Sequence, residues 1–130
     1  MCRGAVLAGF IVVSTGASAQ EIPARRPVEF AAVPADATTI KLHDALTAAL
    51  KTSDVLQLSA GKKPGTLMIS FPKPVEARAH MGRTEYLYRV EFHGVNGRLF
   101  ERGFGSCWSD EIGTCVFNLV KMANRYAARP

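Results

Sequence analysis

Two periods of apolar spacing run along this chain, and they divide it into helices and strands. Leu42, Ala45, Leu46, Ala49 and Leu50 recur at i, i+3, i+4, i+7 and i+8, which gathers them on one helical stripe. His43, Asp44, Thr47, Lys51 and Thr52 fall on the other side. Thr38 or Thr39 is a candidate N-cap, and Ser53-Asp54 marks the end. Near the C-terminus, Ile112, Cys115, Val116, Leu119, Met122, Ala123 and Tyr126 form a second such stripe. Ser109 is the candidate N-cap there, Asp110-Glu111 suit the positive end of the helix, and Arg125 and Arg129 suit the other end.

Between the helical stripes the period falls to two. Val55–Leu58 and Thr66–Phe71 read as strands around the turn residues Gly61, Pro64 and Gly65, and Pro72 and Pro74 stop the second. Residues 73–83 read as a loop. Tyr86, Tyr88, Val90 and Phe92 then alternate with Leu87, Arg89, Glu91 and His93, as in a strand with one buried face. Asn96-Gly97 signals a hairpin. A three-residue loop, Val95-Asn96-Gly97, would set Phe92 opposite Phe100 and Tyr88 opposite Phe104, burying the aromatics together. Its weak point is Glu91 opposite Glu101. The expectation is a single α+β domain over residues 39–130, in the order α-β-β-β-β-α. Both helices would pack on one face of an antiparallel sheet of about four strands.

The N-terminus changes the setting. Arg3, an apolar run from Ala5 to Val13 and the small residues Ala17-Ser18-Ala19 compose a secretory leader, residues 1–19, cut between Ala19 and Gln20. That run is shorter than the about 20 residues a spanning helix needs, so no membrane span is expected in the mature protein. Residues 20–38, with Pro23, Pro27 and Pro34, read as an extended arm in which Val28–Val33 could form an edge strand. Cleavage leaves 111 residues and lowers the formal charge from +5 to +4. This modest, scattered charge argues against nucleic acid. It suits weak attraction to an anionic envelope polymer or lipid, with Lys62, Lys63, Lys73, Arg78 and Arg83 as the candidate basic set.

Cleavage also removes Cys2, leaving Cys107 and Cys115. An even number of cysteines in an exported chain favours a disulfide, which here would staple the last helix to the strand before it. Two cysteines with no histidine nearby do not make a zinc site, and their spacing is not that of a thiol redox pair. Gly103-Phe104-Gly105 lacks the third glycine of a phosphate loop and is followed by acids that repel phosphate. Trp108 is read as core covering the disulfide, the alternative being a partner contact.

No catalytic motif surrounds His43, His80 or His93, and no cofactor or metal is expected. His43 and its neighbour Asp44 point in different directions and form no dyad. Convergence of Glu85, Glu91 and His93 is the acid–base arrangement that spacing leaves open. The element order from Leu42 to Tyr126 resembles the small N-terminal domain of TolB-type periplasmic proteins and related envelope accessory modules, and it assigns no functional residue. The reading is a periplasmic or secreted, non-catalytic binding or accessory module acting through a protein partner. A small enzyme with an acid–base site near His93, or a secreted inhibitor or immunity protein, is the alternative.

Overall fold

The computed structural model describes residues 25–59, 61 and 63–127. The leader, the Ala19–Gln20 junction and the arm up to Ala24 lie outside the described residues, as does Lys62. The elements run β1 (Arg26–Ala32), α1 (Ala37–Leu50), β2 (Leu56–Leu58), β3 (Leu67–Ser70), β4 (Glu76–His80), β5 (Arg83–Gly94), β6 (Leu99–Trp108) and α2 (Ile112–Asn124). This is a mixed α+β fold with two helices and a curled sheet of six strands among the described residues, rather than about four.

The first strand beyond the expected four is β1, which forms where the arm could supply an edge strand over Val28–Val33. It lies inside the sheet, not at an edge, and runs parallel to both neighbours, β2 and β3. The expected all-antiparallel sheet is therefore mixed. Pro27 is tolerated there for a local reason. The Arg26 N–H bonds Val55 and the Val28 carbonyl accepts from Ser59, both on the β2 side. The missing Pro27 N–H thus falls on the β3 side, where that ladder begins only at Val28 and Leu67.

The second is β4, in the segment expected to be a loop. All five of its residues are exposed, so it lacks the apolar alternation that marks a strand. A two-residue turn makes it. Met81 and Gly82 both take positive φ, 51° and 74°, and close the β4–β5 hairpin between His80 and Arg83. Strand β5 pairs with β3 over Glu91–Gly94 and with β4 over Arg83–Leu87, both on one edge. Strands β3 and β4 are in effect one strand, interrupted where Pro72 and Pro74 supply no N–H. On its other edge β5 pairs with β6.

The β5–β6 hairpin closes with the expected three-residue loop, but its register departs from the expected one beyond Leu99. Next to the turn His93 faces Leu99, and Gly97 is left-handed at φ 82°. Phe100 then bulges out, and the ladder resumes with Phe92 opposite Glu101, Val90 opposite Gly103 and Tyr88 opposite Gly105. The bulge resolves the expected clash of two glutamates. Glu91 now faces Arg102, 3.7 Å away, while Glu101 accepts from the Tyr126 hydroxyl at 2.6 Å and from Arg125 at 3.2 Å.

One buried cluster joins the inner face of the sheet to both helices. Val28, Leu67, Ile69, Val90 and Phe92 meet Leu42, Leu46, Leu50 and Leu119 there, each at most 1% exposed. The N-cap of α1 is Asp36, not Thr38 or Thr39. Its carboxylate accepts from the Thr39 N–H at 3.0 Å and the Thr39 hydroxyl at 2.7 Å, which holds its pKa below the usual range. Thr39 in turn accepts from the Val75 N–H at 2.8 Å, fixing the β3–β4 connection to the helix. A 3-10 turn, Ser109–Glu111, precedes α2, and no side chain caps that helix. What holds its first turn is the bond between Cys107 and Cys115, with Cα atoms 5.5 Å apart.

Candidate functional site

Alternation along β5 divides the sheet into two chemical surfaces. The even positions Tyr86 to Phe92 face the helices. The odd positions face the other way, with Glu76, Arg78 and His80 from β4 and Arg102, Phe104 and Trp108 from β6 on the same side. No helix packs on this outer face at its β4–β5–β6 end, and Phe104 stands on it 85% exposed.

The conformation of the Gly103-Phe104-Gly105 stretch follows from the core, not from a phosphate. Gly103 and Gly105 face inward opposite Val90 and Tyr88. A Cβ at Gly105 would meet the Tyr88 ring at Cζ, 2.7 Å away, and one at Gly103 would meet Met122 Sδ at 2.7 Å. The bare backbone lets Tyr88 lie across the strand, buried to 2% exposure, which also raises its phenol pKa. Phe104, between the two glycines, necessarily points outward. Gly105→Ala should therefore lower the urea midpoint by an amount corresponding to about 1–3 kcal/mol, because an aromatic ring cannot bend away. Gly103→Ala should cost less, since the methionine end can swing. Equal effects in urea titrations would contradict this account.

Across β5 from Phe104, the edge of β5 that pairs with β3 and β4 has a gap. Tyr88, Arg89 and Val90 fall between the segments paired with β3 and with β4, opposite the Pro72-Lys73-Pro74 interruption. A groove of about 820 Å³ opens there, floored by β5 and flanked by that interruption and by Arg102–Gly105. Its charged residues are Lys73, Arg78, Arg89 and Arg102 against Glu76 and Glu91. Arg78 reaches Glu76 at 3.3 Å and Arg102 reaches Glu91 at 3.7 Å. Lys73 and Arg89 make no ion pair among the described residues and remain uncompensated.

Of the basic set expected from sequence, Lys73 and Arg78 reach this groove and Lys63 does not. Arg83 is engaged elsewhere, at 2.8 Å from Asp110 and 3.6 Å from Glu111. That contact lowers the Asp110 pKa and raises that of Arg83. Arg89 and Arg102 were not singled out by sequence. The signal was available for Arg89, a cation on the polar side of the strand alternation.

Trp108 does not cover the disulfide. Adjacent strand residues point to opposite faces, so Cys107 points inward and Trp108 outward. There its ring stacks on His80 at 5.8 Å, and the Arg83 guanidinium lies 4.3 Å above it. Trp108 is half-buried on the candidate binding surface, at the end away from Phe104.

The acid–base arrangement is not brought together. Glu85 and His93 share the outer face, but eight residues of extended strand separate them by about 26 Å. Glu91 is paired with Arg102, and no hydrogen bond to His93 occurs among the described residues. His43 does touch Asp44, Nδ1 to Oδ1 3.4 Å, contrary to expectation, while its ring packs edge-on against Phe30. No group of three or more metal-ligating side chains gathers among the described residues, and none of their helices is long and apolar enough to cross a membrane.

No protein-family model matches this chain, and no curated protein does. Among solved structures it is similar to a minor lipoprotein from Acinetobacter baumannii, with 16% identity over 78% of this chain and 89% of the other, at a TM-score of 0.42. It is also similar to a lipoprotein from Neisseria meningitidis, with 12% identity over 79% and 99% of the two chains, at a TM-score of 0.40. Likenesses at this level transfer no residue and no role, so any function has to come from the surface described above.

Proposed function

We propose that the protein is an exported, non-catalytic accessory module of the bacterial envelope that binds another protein through the outer face of β4, β5 and β6. The observation that carries this reading is Phe104. A phenylalanine 85% exposed beside a groove, held outward by two glycines the core requires, is an anchor without a pocket. Its surroundings fit binding better than catalysis. The rim is charged, and β4 offers a short exposed edge. Export rests on the leader pattern, and an oxidising compartment agrees with the sulfur–sulfur bond.

Photocrosslinking tests the reading directly. With p-benzoylphenylalanine in place of Phe104, a discrete adduct with one envelope protein is expected in living cells. Phe117, 67% exposed on α2, is the control position and should give none. Adducts from both positions alike, or from neither, would remove the basis for a binding face here. The identity of the adduct separates an accessory role from inhibition of a secreted enzyme.

A further inference from the structure

We infer that the groove beside Phe104 takes an extended, acidic segment of a partner protein, one carrying a bulky apolar side chain. The inference rests on the protein-binding reading above and names the kind of ligand. Three observations carry it.

The first is charge. Four cations and two carboxylates line the groove, and the two contacts within it, Arg78–Glu76 and Arg102–Glu91, neutralise only half of the cations. Lys73 and Arg89 are left facing solvent across the interruption. The two uncompensated cations set the sign of the local field, and a concave wall strengthens it over an open surface.

The second is apolar surface. Leu87 lines the groove and Phe104 stands beside Arg89, its partner across the β5–β6 ladder. An arriving side chain would meet Phe104 and Leu87 while a carboxylate two positions along the same segment meets Arg89. Side chains two positions apart share one side of an extended chain at about 7 Å, which matches the separation of Leu87 and Arg89 along β5.

The third is shape. The interruption at Pro72-Lys73-Pro74 leaves one edge of β5 without a ladder partner over Tyr88–Val90, while β6 pairs with the same residues on the other edge, so the groove runs along an open stretch of backbone. Nucleic acid and anionic lipid would also respond to positive charge. Neither requires a groove beside a single projecting phenylalanine, and a flat bilayer does not enter a groove.

The test uses the full mature chain labelled with ¹⁵N and two synthetic octapeptides with serine at every second position, one with glutamate and leucine taking turns at the positions between and one with lysine and leucine there. The glutamate peptide should shift the amide signals of Leu87–Glu91 and Arg102–Gly105. Its affinity should fall about tenfold between low and physiological salt as screening shortens the reach of the two cations. The double reversal Lys73→Glu with Arg89→Glu, both exposed positions, should weaken it at least about tenfold and leave the melting temperature unchanged. Shifts mapping elsewhere, equal binding of the lysine peptide, or no binding at all would overturn the inference. Stronger binding to phosphatidylglycerol vesicles than to the peptide would overturn it in favour of a lipid surface. The crosslink from position 104 keeps the two readings apart. If that adduct persists undiminished in the double reversal, protein binding stands and the acidic segment falls.

Discussion

Arg26→Met is expected to reduce the unfolding free energy by about 3 kcal/mol, the larger of the two strongest effects foreseen for this fold. Arg26 lies on β1 but holds the other end of the molecule. Its Nε donates to the Gly65 carbonyl at 2.9 Å and an NH group donates to the Tyr126 carbonyl beyond α2, while its guanidinium lies 5.9 Å from the Phe100 ring centre. The side chain is 7% exposed, and burial lowers its pKa, though not to where an arginine loses its charge. Methionine keeps much of the volume and leaves two carbonyls without donors, each at about 1–3 kcal/mol where water cannot replace the bond. Lysine keeps the charge near the end of α2 but cannot reach two acceptors with a fork, so Arg26→Lys should recover about half of the loss. Urea titrations of the three proteins decide it. A methionine variant within about 0.5 kcal/mol of the parent would mean that Arg26 behaves as a surface residue.

Reduction of the Cys107–Cys115 bond is expected to cost about 2.5 kcal/mol, from the loop entropy that a bond across eight positions removes from the unfolded chain. The local effect should exceed what the global figure suggests. No side chain caps α2, and the Ser109–Glu111 turn before it contributes its acids to Arg83 instead. Hydrogen exchange in the first turn of α2 should therefore accelerate on reduction before exchange in β5 does. Cys107→Ala with Cys115→Ala supplies the control, because its stability should not respond to reductant at all. A parent protein equally indifferent to reductant would show that the bond adds nothing to the fold.

The elements that the sequence reveals are those with a regular period. Both helices follow from apolar stripes, and the inward set Tyr86, Tyr88, Val90 and Phe92 follows from alternation. The two strands beyond the expected four, β1 foreseen only as a possible edge strand and β4 read as a loop, lack this signal for different reasons. In β1 the innermost residue at the start is an arginine, and the nearby prolines suggest an open arm. In β4 neither face is buried, so the turn at Met81-Gly82 and the neighbour β5 make a strand of residues with no preference of their own. The register of β6 fails at one residue. Pairing aromatics with aromatics is sound locally, but a bulge at Phe100 turns Glu101 toward the Tyr126 hydroxyl and matches Arg102 to Glu91. Those contacts lie 11 to 25 residues apart along the chain, beyond the reach of a strand-by-strand reading. The same shift places Trp108 outside and leaves Phe104 exposed, so the candidate surface was the least legible part of the molecule.

The position of β1 has a consequence for how the chain acquires its shape. Synthesis proceeds from the N-terminus, yet the earliest strand cannot be sandwiched until Leu67–Ser70 has been made, and its arginine waits a further span for Tyr126. Assembly of such a topology is governed by separation along the chain, and closure over a hundred positions comes late. The ribosome would thus release β1 as an adhesive, half-matched ribbon, open to capture by a chaperone until the final helix arrives.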